Sequence, residues 1–196
     1  MKLLKGNLVM DRLVDLIKVY DNALDGDICD FLIDYFESNE DIQENVSCNR
    51  NPNFVQINLT ENSKKSKDIE DVHQNVLKVI LDYKKDYYDF VYPECFPESN
   101  AFEQFRIKRY IPDSNEAFDT HVDVKDYESS MRFLSFIFYL NDVDDGGKTC
   151  FKDLTIIPKK GKLVVFPPLW MYPHYDEKPK SNKKYILSTY LHYKNG

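Results

Sequence analysis

The sequence predicts a mainly β protein of the α+β class, because its second half is a series of short candidate strands. These strands are rich in β-branched and aromatic residues and are separated by Gly, Pro, Asn and Asp. Strands of this length and spacing are typical of a β-sandwich or barrel. The candidates are Phe102–Tyr110, Phe118–Val124, Arg132–Leu140, Thr149–Phe151, Leu154–Ile157, Lys162–Phe166 and Tyr185–Tyr193.

The first half of the chain predicts two amphipathic helices. Asp25 can cap the first helix and Ser66 the second, and acidic residues follow Ser66 in the first turn, where the helix dipole favours them. Apolar residues recur at helical spacing in both. Those of the first helix are Ile28, Phe31, Leu32, Tyr35 and Phe36, and those of the second are Ile69, Val72, Val76, Ile80, Tyr83 and Tyr87.

Two further strands are predicted in the first half, at Val14–Tyr20 and Phe54–Leu59. We expect the helices to cover one outer face of the sheet structure, and His73, beside the apolar stripe of the second helix, to be a structural histidine. The chain is then one domain, residues 1–196, in which residues 1–100 are a helix-rich support and residues 101–196 form the catalytic core.

Composition excludes several classes of function. The chain has 26 Lys and Arg against 33 Asp and Glu, so its net charge of −7 disfavours nucleic acid and anionic membranes as partners. No apolar stretch approaches the roughly 20 residues that span a bilayer, and the N-terminus lacks the apolar core of a signal peptide. The four cysteines are scattered without a CxxC pair. We expect a reduced, cytoplasmic protein.

The residues that predict chemistry are His121, Asp123 and His174. Strand side chains alternate between faces, so His121 and Asp123 project to the same side of their strand. His174 can complete a set of two imidazoles and one carboxylate, the facial triad that leaves open positions on Fe(II). The triplet alone is weak evidence, so the hypothesis depends on the joint arrangement with a basic residue further along the chain.

That basic residue is Lys184. In the last strand, Lys184 shares a face with Ile186, Ser188, Tyr190 and His192, whereas Lys183 has the opposite parity and is expected in solvent. A lysine on an inner face is costly unless it meets an anion. Arg106, Lys108 and Tyr110 likewise share one face, which fits either a wet ligand cavity or an edge strand facing solvent.

Taken together, these residues resemble the prolyl 4-hydroxylase branch of the Fe(II)/2-oxoglutarate dioxygenases. The resemblance is close from Phe102 to Tyr193 and looser over the first hundred residues. The matching motifs are His121-x-Asp123, the run from Arg132 to Asn141, Asp145-Gly-Gly-Lys-Thr149, Pro158 to Gly161, Phe166, His174 and Lys184.

The resemblance implies a double-stranded β-helix, or jelly roll, and a specific division of roles. His121, Asp123 and His174 would hold Fe(II). Lys184 would bind the distal carboxylate of 2-oxoglutarate, with Tyr110 and Thr149 as hydrogen-bond partners. Tyr190 is a weaker cofactor-binding candidate, and Arg132 matches a position that contacts substrate. The resemblance also implies the cofactors: Fe(II), 2-oxoglutarate and O2 as co-substrates, and ascorbate as a further candidate.

The implied activity is decarboxylation of 2-oxoglutarate to succinate coupled to hydroxylation of a C–H bond, with a prolyl residue of a peptide or protein as the expected substrate. Departures from the family pattern are Lys148, Asp176 in place of a common glycine, and a longer segment before His121. They are expected around the cavity mouth, away from the metal ligands. Two alternatives stay open: a zinc hydrolase that uses the same three ligands, and a jelly-roll binding module without turnover.

Overall fold

The computed structural model describes residues 12–47, 53–112, 114, 116 and 118–194. Within these ranges the α-helices are Gly26–Ser38 (α1), Leu59–Asn62 (α2) and Lys67–Phe90 (α3), and 3-10 turns lie at Leu13–Leu16, Glu40–Ile42 and Pro93–Cys95. The strands are Lys18–Tyr20 (β1), Glu44–Ser47 (β2), Asn53–Asn58 (β3), Asn100–Phe102 (β4), Arg106–Tyr110 (β5), Phe118–His121 (β6), Arg132–Tyr139 (β7), Thr149–Phe151 (β8), Thr155–Ile156 (β9), Leu163–Phe166 (β10), His174–Asp176 (β11) and Lys184–Tyr193 (β12).

The strands form two antiparallel sheets. The larger has the order β1-β10-β7-β12-β5-β3-β2, with β4 paired to one end of β12, and the smaller has the order β6-β11-β8-β9. From β5 onward the chain passes repeatedly between the two sheets, so that strands distant in sequence become neighbours. Eight strands shared in this way between two sheets are a jelly roll. The prediction of a mainly β protein with a jelly-roll core is therefore confirmed.

The two main helices begin where the sequence predicts. Asp25 caps α1 and its carboxylate accepts a hydrogen bond from the Asp27 backbone N–H at 2.8 Å. Ser66 is the N-cap residue of α3, although its hydroxyl makes no capping hydrogen bond. His73 is buried on α3, with its Nε2 atom 3.1 Å from the Thr60 hydroxyl and its ring against Phe105. Its environment is that of a structural histidine.

The outer face of the larger sheet packs against the helices. Residues of α1 and α3 meet alternate residues of β7 and β12 in one apolar core, because each strand presents every second side chain to this side. Burial of this area from water is the main stabilising contribution of the helix layer. The buried residues from these four elements include Leu32, Phe36, Ile69, Val76, Ile80, Phe136, Phe138, Leu187 and Leu191.

The inner face of the larger sheet points at the smaller sheet and is partly polar. Lys184 lies opposite Tyr110 of β5, and Ile186 lies opposite both Lys108 of β5 and Tyr139 of β7. Directly opposite residues of an antiparallel pair share a face, so these side chains line the same interior. Of the two possibilities for the Lys108 and Tyr110 face, the structure shows the interior of the jelly roll.

Some predicted element bounds are wrong. The segment Val14–Tyr20 begins with a 3-10 turn, and only Lys18–Tyr20 pairs, with β10. The segment Phe102–Tyr110 belongs to two strands, because residues 103–105 interrupt the regular pairing with β12, although the Glu103 N–H still binds the Tyr190 carbonyl. The strand that starts at Phe118 ends at His121. Strands β2 and β11 were not predicted from the sequence.

No helix within the described ranges is long and apolar enough to cross a membrane. Three of the four cysteines, Cys29, Cys95 and Cys150, are free thiols. Cys48 lies outside the described residues.

Candidate active site

Three side chains converge at the end of the smaller sheet, as the sequence predicts. His121 is the last residue of β6, His174 is the first residue of β11, and the two are direct partners in the antiparallel pairing. Asp123 lies two residues beyond His121, past the end of the strand. One ligand atom of each residue lies within 4.8 Å of the others, so these residues form a group able to hold one metal ion.

The two imidazoles are oriented for coordination. Nδ1 of His121 lies 2.8 Å from the Asp119 carbonyl oxygen, and Nδ1 of His174 lies 3.0 Å from the Tyr172 carbonyl oxygen. A ring nitrogen beside a carbonyl carries the proton, which leaves Nε2 as the ligating atom. Nε2 of His121 lies 3.6 Å from the Asp123 carboxylate. The donor set and its orientation therefore fit a divalent first-row metal.

The surroundings of Asp123 favour its ionised form. Burial alone would raise its pKa, but the adjacent His121 and His174 rings and the Lys108 ammonium lower the pKa below its ordinary value. Burial, together with the nearby Asp123 carboxylate, raises the pKa of the Tyr190 phenol of β12 well above its usual value. Tyr190 is thus a neutral phenol at the metal end of the cavity.

Lys184 lies deeper in the same interior and is bound to a carboxylate. Its side chain is only 1% exposed, and its Nζ atom lies 2.7 Å from Oδ1 of Asp176. The same Asp176 oxygen accepts a hydrogen bond of 2.6 Å from the Thr149 hydroxyl, and that hydroxyl accepts one of 2.7 Å from Tyr139. The expected inward position of Lys184 is confirmed, and in this structure the anion that it meets is Asp176 of the chain itself.

This arrangement corrects the expected position of Asp176 at the cavity mouth. Asp176 is the last residue of β11 and shares a face with His174, so its side chain enters the interior. Burial alone would raise its pKa, but the charge and hydrogen bond of Lys184 and the hydrogen bond of Thr149 lower it. Asp176 is therefore an ionised carboxylate at neutral pH.

The remaining cofactor-binding candidates surround this pair. Tyr110 is buried, and the Lys184 ammonium lies 5.5 Å from the centre of its ring and the same distance from that of Tyr139. Lys108 lies on the same face of β5 and contacts the Phe54 ring at 5.0 Å. Burial lowers the pKa of Lys108 to about 8, although the carboxylates of Asp123 and Asp176 oppose this shift.

Arg132 is connected to the metal end of the cavity through Tyr190. Its guanidinium lies over the Tyr190 ring at 4.2 Å, and the Tyr190 phenol in turn interacts electrostatically with Asp123. The guanidinium also binds both oxygens of Glu103, at 2.7 and 2.9 Å. Such a bidentate pair fixes the plane of an arginine. Arg132 is therefore held at the edge of the site.

Three residues of this interior were not predicted from the sequence: Tyr139 as a cavity group, Asp176 as the partner of Lys184, and Ser135. The Ser135 hydroxyl is buried on the inner face of β7 and has no hydrogen-bond partner among the described residues. The sequence did carry a signal for two of them, since Tyr139 and Ser135 both have the inward parity of β7.

Comparison with known proteins agrees with this site. Residues 105–192 match the family model of the 2OG-Fe(II) oxygenase superfamily, and this stretch contains all three candidate metal ligands and Lys184. No curated protein sequence matches the chain.

Several solved structures have a similar fold. The viral collagen prolyl hydroxylase of Paramecium bursaria Chlorella virus-1, in its 2-oxoglutarate complex, is 20% identical with a TM-score of 0.62, and 92% of this chain and 97% of that chain are covered. A Pseudomonas putida prolyl 4-hydroxylase is 17% identical with a TM-score of 0.69, covering 93% and 98%. A Trichoplax adhaerens prolyl hydroxylase, bound to a peptide fragment of hypoxia-inducible factor, is 15% identical with a TM-score of 0.69, covering 93% and 88%.

These likenesses establish the fold, and the family match establishes the chemistry. An oxygenase family does not support the zinc hydrolase or the silent binding module. The chain therefore carries a 2OG-Fe(II) oxygenase domain of prolyl 4-hydroxylase-like fold and is a 2-oxoglutarate-dependent dioxygenase that requires Fe(II) and O2.

Proposed function

We propose that the protein hydroxylates prolyl residues of a peptide or protein, with His121, Asp123 and His174 as the iron ligands and Lys184 as the anchor of 2-oxoglutarate. The observation that carries the proposal is the position of the ligand group and the Lys184 ammonium in one interior, on facing sheets of the jelly roll. Such an interior can hold a metal and a dicarboxylate together.

The chain's contribution at the metal end is orientation. The carbonyl groups of Asp119 and Tyr172 fix the two imidazoles, and the depressed pKa of Asp123 keeps its carboxylate available. When bound, Fe(II) supplies the oxidative chemistry that couples decarboxylation of 2-oxoglutarate to hydroxylation. The neutral Tyr190 phenol, which interacts electrostatically with the Asp123 carboxylate, borders the same end of the interior.

At the other end, Lys184 supplies the positive charge for the distal carboxylate of 2-oxoglutarate. The ammonium is fully buried, so its interaction with a carboxylate is weakly screened by solvent. Thr149 and Tyr110 border the same position, the first through its hydroxyl and the second through its ring. Together these residues orient the co-substrate along the interior toward the metal ligands.

A peptide substrate is supported by the surface beside the metal ligands. The Val124 N–H binds the Pro168 carbonyl at 3.0 Å, so the loop that carries Trp170 lies next to Asp123. Trp170 is 77% exposed, and Tyr127, four residues after Asp123, is 92% exposed. Large exposed aromatic side chains suit contacts with an extended peptide. The similar fold of a prolyl hydroxylase that binds a peptide also supports a peptide substrate.

The test is an assay of succinate formation from 2-oxoglutarate, with mass spectrometry of proline-containing peptides for a gain of one oxygen. Wild-type protein should form succinate only with added Fe(II), and His174→Ala should abolish it because one of three ligands is lost. His192→Ala is the matched histidine control, since His192 is not one of the three residues grouped as metal ligands. Ascorbate should increase the yield over many turnovers.

Two results would contradict the proposal at different levels. Succinate formation that survives His174→Ala would remove the assigned metal ligands. The second result is succinate formation with no oxygen gain on any prolyl peptide but a gain on another residue type or a small molecule. It would support the reaction type and contradict the assignment of a prolyl substrate.

A further inference from the structure

The Lys184–Asp176 contact has a consequence for co-substrate binding, and the inference drawn from it rests on the proposed role of Lys184. In that role the lysine binds the distal carboxylate of 2-oxoglutarate together with Thr149. Both of these groups are already bound to the Asp176 carboxylate, at 2.7 and 2.6 Å. The chain therefore places a carboxylate of its own where the co-substrate would place one.

The hydrogen-bond inventory makes this a direct competition. A threonine hydroxyl has one proton to donate. The Thr149 hydroxyl gives that proton to Asp176, while the Tyr139 hydroxyl donates to the Thr149 oxygen and fixes its orientation. Thr149 thus has no proton for a second carboxylate until Asp176 moves away. Lys184 has further donors, but a second buried carboxylate beside Asp176 would bring two like charges together.

We propose that Asp176 is an internal competitor of 2-oxoglutarate, which occupies the carboxylate position of the co-substrate site and sets its affinity. Binding of 2-oxoglutarate requires the Asp176 side chain to leave Lys184 and Thr149. The apparent affinity for 2-oxoglutarate is then lower than the intrinsic affinity, by the fraction of molecules in which the site is open. Asp176 lies on the same face of β11 as His174. This one strand therefore carries a residue of the metal end and a residue of the co-substrate end of the site.

The competition should affect only those 2-oxo acids that carry a second, distal carboxylate. A 2-oxo acid with an uncharged tail does not need the Lys184 ammonium, and it can bind while Asp176 stays in place. 2-Oxopentanoate, in which a methyl group replaces the distal carboxylate of 2-oxoglutarate, is such a compound. Asp176 should therefore weaken the binding of 2-oxoglutarate and leave that of 2-oxopentanoate nearly unchanged.

The experiment is calorimetric titration of Mn(II)-loaded protein with each of these two acids. The proteins are wild type, Asp176→Gly, Asp176→Asn and Glu177→Gln. The last is the control, because the Glu177 carboxylate pairs with Lys148 and not with Lys184. We expect 2-oxoglutarate to bind about tenfold or more tightly to Asp176→Gly, and less strongly enhanced binding to Asp176→Asn, whose amide can still occupy the position without charge. Glu177→Gln should match wild type, and no variant should gain affinity for 2-oxopentanoate.

Thermal unfolding gives a second measurement that does not depend on turnover. Asp176→Gly leaves the buried Lys184 without a partner, so its ligand-free midpoint should fall and should rise more than that of wild type on addition of 2-oxoglutarate. Asp176→Asn keeps the side-chain volume and tests the same point if the glycine variant does not fold. Equal 2-oxoglutarate affinity in wild type and both Asp176 variants would overturn the competition alone. Absence of 2-oxoglutarate binding in all four proteins would overturn the proposed function as well.

Discussion

The two faces of β12 differ in what they require of each residue. On the outer face, Leu187 and Leu191 are buried under the helices and contribute packing. On the inner face, Lys184 is buried beside a carboxylate in the site. One strand can therefore contribute to stability with one face and to ligand binding with the other, because successive side chains point in opposite directions.

Adjacent lysines show the same difference with matched chemistry. Lys183 and Lys184 each pair with a carboxylate, Glu37 at 2.6 Å and Asp176 at 2.7 Å. The Lys183 side chain is 46% exposed and the Lys184 side chain 1%. An exposed ion pair contributes little net free energy, whereas a buried one is costly to break. The two ion pairs therefore have similar N–O distances, but breaking the buried pair should cost much more free energy of unfolding than breaking the exposed pair.

The largest effect is expected at Lys184. Lys184→Met leaves the Asp176 carboxylate buried without its ion-pair partner, and loss of one partner of a buried pair costs about 3–5 kcal/mol. Binding of 2-oxoglutarate should be lost in the same variant. The measurements are urea unfolding and calorimetric titration.

A double variant sharpens this prediction. Lys184→Met with Asp176→Leu removes both charges, so much of the free energy of unfolding should return while 2-oxoglutarate binding stays absent. If the single variant were as stable as wild type, Lys184 and Asp176 would not form the buried pair.

The next largest effect is expected on the outer face of the same strand. Leu187→Ala removes a fully buried side chain from the core beneath the helices and should lower the free energy of unfolding by about 2–5 kcal/mol. The affinity for 2-oxoglutarate, titrated well below the unfolding midpoint, should be unchanged. A large loss of affinity would show that the two faces are not independent.

A small effect is expected at Lys183. Lys183→Ala should cost under about 1 kcal/mol, because the pair is exposed and Glu37 keeps a hydrogen bond from the Tyr185 hydroxyl. Succinate formation should be unchanged. Urea unfolding of this variant beside Lys184→Met compares the two lysines directly, and similar losses in both would contradict the difference in burial.

The smallest effect concerns pH. Burial alone would raise the pKa of Glu37, but hydrogen bonds from Lys183 and Tyr185 and the charge of Arg109 lower it below its ordinary value. A pKa lowered on folding contributes stability above the unfolded pKa, and this contribution is lost as the pH falls through the folded pKa. Glu37→Gln should therefore lose slightly less stability than wild type between about pH 6 and about pH 3. Identical pH profiles of unfolding would contradict it.

Much of the fold could be predicted because hydrophobic periodicity reports which face of an element is buried. The parity of β12 separated Lys184 from Lys183, and the stripe of α3 identified Ile69, Val76 and Ile80 as buried. Strands β2 and β11 were missed for physical reasons. Glu44 and Asn45 make β2 a polar edge strand, and β11 is only three residues long and follows Pro173.

The candidate site was predicted less completely. His121, Asp123 and His174 could be grouped because their residue types suggest one ligand set. Asp176 could not be assigned to Lys184, since that contact depends on β11 lying beside β8 and on the inward direction of a short, unpredicted strand. Position relative to a motif was the wrong guide there, and the three-dimensional pairing of strands was needed.

The most direct test of the central claim, one interior that holds Fe(II) and 2-oxoglutarate together, is the visible absorption spectrum recorded without oxygen. Wild-type protein should develop a visible-region band only when Fe(II) and 2-oxoglutarate are both added. His174→Ala should not develop the band, and His192→Ala should. Absence of the band in folded wild-type protein, or its persistence in His174→Ala, would contradict the assignment of this site.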